Sequence, residues 1–304
     1  MKKGILCIFL VLSLLVSGCA RQETEAAAPW EENFSLAERI TDVTTEDDLH
    51  YSCDYMGAQR KFTLYLPETT DNAMLVIMLH GAGESADGFA LDTKLHETLV
   101  PAGYAVAYAE SAFDAEDRTN SSGWNNGLKS SGNDDAGFLS SLARYLQKEY
   151  SLQTERCAAA GFSNGACMVH RLAVDPEGVF TDVVSVAGMM PELTWNGRPE
   201  NVTVSVLQVS GTKDDVVPQK RNGIDKYTKA PAIEDVMAYY AAASGSVEPV
   251  TEPLSDQSEL VRYTSPETCQ AVWEVSIRDG RHSWVKEEYC GFVLNALILE
   301  FLRR

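Results

Sequence analysis

A chain of 304 residues with 45% hydrophobic and 23% charged residues can bury a large core, and that composition excludes both a disordered chain and a membrane-spanning bundle. Its formal net charge is −19. So acidic a surface repels phosphate backbones, and no basic stripe or aromatic-basic repeat offsets it, which argues against a nucleic-acid partner.

In chain order, the first residues have the pattern of an export signal: Lys2 and Lys3, then a short apolar stretch over 5–16. That stretch is too brief to span a bilayer comfortably. It runs into Val16-Ser17-Gly18-Cys19, which resembles the lipobox of bacterial lipoproteins. The expectation is a signal peptide over 1–18, lipidation at Cys19, and an exported protein held on a membrane surface by acyl chains; an ordinary secretory signal is the alternative. Cleavage there removes two lysines and no acid, which deepens the negative charge. Residues 19–48 are rich in Glu, Ala and Thr and read as a tether with one short helix around 34–40.

Periodicity sets in after the tether, and residues 49–304 are expected to form one catalytic domain. Residues 61–66 alternate as a half-buried strand does, and Pro67 ends them. Residues 74–79 form an unbroken apolar run, the mark of a strand covered on both faces. A helix is expected at 89–99, a strand at 104–108 and a polar loop through Trp124. Residues 135–150 place Phe138, Leu142, Tyr145 and Leu146 on one helical face. Strands at 156–161, 182–187 and 202–209 follow, with a helix at 164–174 after the first. A helix at 233–243, strands at 260–263 and 271–277, and a closing helix at 284–302 complete the pattern. Strands alternating with helices imply a mostly parallel sheet covered on both faces, with ligands bound beyond the carboxyl ends of the strands.

The chemistry centres on Gly161-Phe162-Ser163-Asn164-Gly165, between an expected strand and an expected helix. A serine on that sharp turn is pushed out over the sheet edge, and the turn admits only small residues two positions to either side. Gly161 and Gly165 meet that demand, and Ala160 and Ala166 add room. The pattern resembles the nucleophile elbow of the α/β-hydrolase fold, in which the partners follow in the order Ser, Asp or Glu, His.

Of the five histidines, His50 lies near the tether, His96 and His170 lie in expected helices, and His80 precedes the nucleophile. His282 remains, between a strand and the last helix, where the fold needs its base. The carboxylate should follow the strand ending near Val209, where Asp214 and Asp215 are both within reach. The oxyanion that forms on an attacked carbonyl needs fixed amides. The expected donors are the backbone N–H of Asn164 and that of Ala82 in His80-Gly81-Ala82-Gly83, with His80 shaping the loop. Trp124, Trp195 and Trp284 fall in loops near the cleft and are candidates for stacking on an aromatic or sugar group, or simply for packing those loops.

Beyond Cys7 and Cys19, five cysteines remain; five cannot all pair, and Cys157 and Cys167 read as small buried hydrophobes. No metal-ligand spacing is present, and serine chemistry needs no cofactor.

These blocks resemble the polyhydroxybutyrate depolymerase and feruloyl esterase group of bacterial α/β-hydrolases, related to carbohydrate esterase family 1. The resemblance is carried by 79–83 with Ser85-Ala86-Asp87, by Asp134-Asp135-Ala136-Gly137-Phe138, by 161–168, and by Gly211-Thr212-Lys213-Asp214 with Val217-Pro218. Residues 280–284 look like the group's histidine loop. The resemblance implies Ser163 as nucleophile, Asp214 as acid and His282 as base. The Asp134-Asp135 pair reads physically as two carboxylates at a helix start, capping free amides. Two positions depart from the group: Ala82 stands where cysteine or serine is common, and Ser283-Trp284-Val285 where a proline is frequent.

The activity expected is ester hydrolysis through an acyl-enzyme, on feruloyl or acetyl esters of plant polysaccharide. Polyester depolymerisation, peptidase action on the same fold, and a non-catalytic binding role for the scaffold are the alternatives.

Overall fold

Alternation within short apolar runs sets the architecture. The computed structural model describes residues 35–112, 123–128, 132–217, 229–246, 248–265 and 268–304. Among these, one sheet contains β1 (Ile40–Thr45), β2 (His50–Tyr55), β3 (Ala58–Tyr65), β4 (Leu75–Leu79), β5 (Ala105–Ala109), β6 (Cys157–Phe162), β7 (Asp182–Val186), β8 (Ser205–Gly211), β9 (Val250–Ser255), β10 (Ser258–Thr264) and β11 (Ala271–Ile277). Their spatial order is β1-β2-β3-β5-β4-β6-β7-β8-β11-β10-β9. The strands from β5 to β11 in that order are parallel, and antiparallel ribbons flank them on both sides.

The central strands are buried on both faces because each face carries its own apolar set. In β4, Leu75, Ile77 and Leu79 enter one core and Val76 and Met78 the other. The first core is closed by helices α3 (Asp135–Glu149), α4 (Asn164–Ala173) and α6 (Ile233–Ala243), the second by α1 (Ala86–Thr93), α2 (Leu95–Leu99) and α8 (Leu294–Arg303). Phe138, Leu139, Leu142 and Leu146 of α3 are fully buried, and each such side chain stabilises the fold by roughly 1.5–3 kcal/mol. Short helices α5 (Glu192–Gly197) and α7 (Glu287–Cys290) sit in the connections. The fold is that of an α/β-hydrolase: a mostly parallel sheet with helices on both faces.

The structure departs from the expected elements in four places. Residues 36–48 are not a tether. Leu36, Ala37 and Ile40 are buried, a 3₁₀ turn spans Ala37–Arg39, and β1 pairs with β2. Three buried apolar residues in that acidic stretch suffice to dock it, and its polar edge-strand face hid the pattern. The helix expected at 89–99 is two helices, α1 and α2, because Lys94 between them is left-handed at φ 48°. The closing helix is likewise split into α7 and α8 by Gly291 at φ +74°. Asp134 does cap α3, accepting from the Gly137 N–H at 3.1 Å, and Tyr55 donates to its other oxygen at 2.8 Å. Asp135 is no cap: it turns inward, wholly buried, and pairs with Arg60 at 2.7 Å. The signal, Cys19, the tether up to residue 34, and Pro218 lie outside the described residues.

Candidate active site

β6 delivers Ser163 to the carboxyl edge of the sheet in a backbone conformation that serine rarely adopts, φ 52° and ψ −113°. The strain is sustained by neighbours that leave no alternative. The Ser163 N–H donates to the Val186 carbonyl at 3.0 Å. A Cβ on Gly161 would lie 2.5 Å from the Gly165 backbone, and one on Gly165 would lie 2.1 Å from the Leu79 carbonyl oxygen. Strand, turn and helix therefore touch backbone to backbone, as the small-residue pattern required. Ala187 and Asp279, just past β7 and β11, also have positive φ, so unusual backbone recurs along this edge.

Asp214 follows β8 and is buried to 4% exposure. Its Oδ1 accepts from the amides of Val216 and Val217 at 2.9 and 2.7 Å, leaving Oδ2 for His282 Nδ1 at 2.8 Å. Asp215, the other aspartate the pattern allowed, is exposed. His282 Nε2 lies 2.8 Å from Ser163 Oγ. With a carboxylate on Nδ1, that nitrogen carries the proton and donates, so Nε2 is the lone-pair side and accepts from the serine hydroxyl. The imidazole also packs against the Phe162 ring, 5.1 Å between centroids. Two loops bring acid and base together by crossing at glycines: a Cβ on Gly211 would lie 2.3 Å from the Gly280 carbonyl oxygen. Serine, imidazole and carboxylate thus form a continuous hydrogen-bonded chain, from three regions far apart in sequence.

The loop after β4 is held by a second network. His80 is fully buried. Its Nδ1 donates to the Gly81 carbonyl at 2.8 Å, and its Nε2 accepts from the Ser111 N–H at 3.1 Å. The Glu84 carboxylate occupies the Gly81 N–H at 2.9 Å. Among the described residues, the Ala82 N–H has no hydrogen-bond partner, and Ala82 is exposed. Asn164 opens α4 immediately after the serine.

Residues 60–221 match the esterase PHB depolymerase family. The chain belongs to that family. A protein named as an esterase, NocK of Nocardia uniformis subsp. tsuyamanensis, is 24% identical over 90% of this chain and 88% of its own length. Among solved structures, acetyl xylan esterase from Aspergillus awamori aligns with a TM-score of 0.57 at 13% identity, over 76% of this chain and 94% of its own. A variant of pOPH in complex with dimethyl sulfoxide aligns with a TM-score of 0.51 at 15% identity, over 81% and 83%. At those identities the solved structures bear on the fold alone. Family and fold together make this protein an α/β-hydrolase of the esterase and PHB-depolymerase type.

In this esterase, the tryptophans expected at the cleft are mostly spent on packing. Trp124 is only 4% exposed. Its indole N–H donates to the His80 carbonyl at 3.0 Å, and its own amide donates to Asn164 Oδ1 at 2.6 Å. It is a brace between the His80 loop and the serine turn, not an open stacking surface. Trp284 is half-buried and meets Phe89 edge to face at 5.4 Å. Trp195 sits under the Arg198 guanidinium at 3.4 Å, beside Tyr239.

Sequence reasoning missed what anchors this brace. Asp135 accepts from the Asn125 N–H at 2.7 Å, Arg171 donates to the Asn125 carbonyl, and Asn126 Nδ2 donates to the Asn164 carbonyl at 3.2 Å. The one available signal was the run Trp124-Asn125-Asn126 in an otherwise open loop. The histidines set aside have structural partners: His170 bonds Tyr240 and Gln208 at 3.2 and 3.1 Å, and burial lowers its pKa to about 4. His96 bonds Tyr108 at 3.1 Å. Among the described residues Cys53, Cys157, Cys167, Cys269 and Cys290 form no disulfide, and burial pushes the Cys157 thiol up to about 12, so it is inert.

Proposed function

We propose that this protein hydrolyses carboxylic esters through an acyl-enzyme on Ser163. The single observation that supports this most is the unbroken run of 2.8 Å contacts from Ser163 Oγ through His282 to Asp214. Ser163 Oγ attacks the ester carbonyl while His282 Nε2 takes its proton, and Asp214 holds the imidazole and steadies the imidazolium. The tetrahedral oxyanion is received by the amides of Asn164 and Ala82; that the Ala82 N–H is otherwise unpartnered supports this assignment. Collapse breaks the C–O bond to the alcohol, which leaves with the proton from His282. Water, deprotonated by the same imidazole, then attacks the acyl-serine and restores the enzyme.

As substrate, feruloyl or acetyl esters of plant polysaccharide come first, since a protein exported and anchored at Cys19 works on external polymer. Polyester of the hydroxybutyrate type is the second reading, favoured by the family. The sequence from Lys2 to Cys19 supports the anchored location; mass spectrometry of the mature N-terminus should find a diacylglycerol-modified Cys19, and a free terminus elsewhere would overturn it. The test of the reaction is a panel of acetyl, butyryl, feruloyl and hydroxybutyrate esters beside peptide substrates. Ester turnover is expected, and hydrolysis of peptides alone would defeat the reading.

A further inference from the structure

A cleft of about 670 Å³ opens beside the imidazole, on the face away from α3 and α4. That volume suits a small organic group. Its floor is apolar, made by Val186, Val209, Ile277 and Val285, and its rim carries Arg278, Arg281 and Lys286. Val186 and His282 link it to the reaction centre, since one accepts the Ser163 N–H and the other faces Ser163 Oγ.

The charge at this rim runs against the molecule. The whole chain carries −19, yet three cations gather here with one carboxylate, Asp279. Asp279 is already paired with Lys213 at 2.8 Å, and this contact holds its pKa down. Arg278 donates to the Asp256 carbonyl and its charge also acts on the Asp279 carboxylate, which leaves Arg281 and Lys286 as the cations open to a ligand. Among the described residues, neither Arg281 nor Lys286 has an ion pair. An apolar floor under a rim that holds Arg281 and Lys286 without ion pairs fits an amphiphilic anion: the hydrocarbon lies on the floor and the carboxylate meets those two cations.

We infer that this cleft binds a carboxylate-bearing arm of the substrate, making the protein selective for esters that carry a short aliphatic chain ending in a carboxylate. The inference rests on the ester-hydrolase reading above. It assigns Arg281 and Lys286 to recognition, where the catalytic groups make no choice between charged and neutral chains.

The test compares kcat/KM for mono-4-nitrophenyl adipate and for 4-nitrophenyl hexanoate, which have acyl chains of equal length. A second pair, the acetyl ester of 6-hydroxyhexanoate and hexyl acetate, places the carboxylate on the alcohol arm and shows which arm the cleft takes. In at least one pair the wild-type enzyme should prefer the anionic ester about tenfold, and 0.5 M salt should shrink that preference. The double variant Arg281→Ala/Lys286→Ala should bring the ratio near one, and Arg281→Lys/Lys286→Arg should restore it; the ratio cancels damage common to both esters. An anionic-to-neutral ratio near one in both pairs of the wild type, or a preference that survives the double alanine variant, would overturn the inference. Should the wild type cleave no ester, the reaction reading fails while the cleft is still tested: calorimetry should show adipate binding to the wild type and at least tenfold weaker binding to the double alanine variant. Equal binding, or none to either, would overturn it.

Discussion

On the nucleophile side, Ser163 is fixed by backbone against backbone: Gly161 meets Gly165, Gly165 meets Leu79, and Trp124 bolts the His80 loop to Asn164. On the histidine side, His282 rides on a connection between β11 and α8 in which Trp284 and Val285 are only half-buried. There a single buried carboxylate, Asp214, and the crossing of Gly211 with Gly280 supply the positioning. The first half places its reacting atom through the fold itself, so its geometry cannot change without cost to stability. The second places its base through one charged hydrogen bond, one glycine crossing and the Phe162 ring, which leaves the surrounding loop free to carry the cations that rim the neighbouring cleft.

The contrast can be broken or sharpened by substitution. Ser163→Ala should lower kcat by about a million-fold if the three groups act as a unit, with the melting temperature close to that of the wild type because alanine keeps the same Cβ on the same strained backbone. Steady-state hydrolysis of 4-nitrophenyl butyrate and a thermal melt read the two effects. Asp214→Asn should lower kcat about 10⁴-fold, since an amide presents its N–H to Nδ1 and favours the wrong tautomer. The amides of Val216 and Val217 can still bond the remaining carbonyl oxygen, so urea unfolding should show a much smaller loss than on the nucleophile side. Gly165→Ala belongs to that side and should destabilise the protein by about 4 kcal/mol or more, because the new methyl group would meet two carbonyl oxygens of the chain. A stable, active Gly165→Ala protein would refute the claim that the fold itself fixes the serine.

The next effect lies beneath the nucleophile side. His170 titrates near 4 when folded and near 6.5 when unfolded, so between those values the unfolded chain binds the extra proton. Its contribution is complete above about pH 6.5 and is lost as pH falls toward 4. Between pH 7.5 and 4.5 the wild type should therefore lose roughly 2 to 3 kcal/mol more stability than His170→Gln, measured by urea unfolding. The smallest effect is expected for Trp124→Phe, which deletes one buried hydrogen bond to the His80 carbonyl and should cost about 1 kcal/mol.

The same division explains what the sequence could convey. The turn at Ser163 was legible because its constraint is local: a strand, a small-residue pentapeptide and a helix within a dozen positions. The central strands were legible from apolar runs covered on both faces. β1 and β2 were not, since edge strands on a solvated flank carry polar residues that periodicity cannot separate from a linker. The choice between Asp214 and Asp215 depends on which carboxylate turns inward toward a residue 68 positions away, and nothing local encodes that. Asp135 was misassigned for a related reason. Its partner Arg60 lies 75 positions upstream, so a pair of carboxylates at a helix start looked like two caps when only one is free to act as such.

Covalent labelling tests the central claim most directly. A 4-nitrophenyl alkylphosphonate mimics the attacked ester and stays on the nucleophile, and peptide mass spectrometry then locates it. One label per chain on Ser163, accumulating in step with loss of esterase activity and more than a thousandfold slower in His282→Ala, is the predicted result. Complete inactivation with the label on another residue, or full activity with Ser163 labelled, would contradict it.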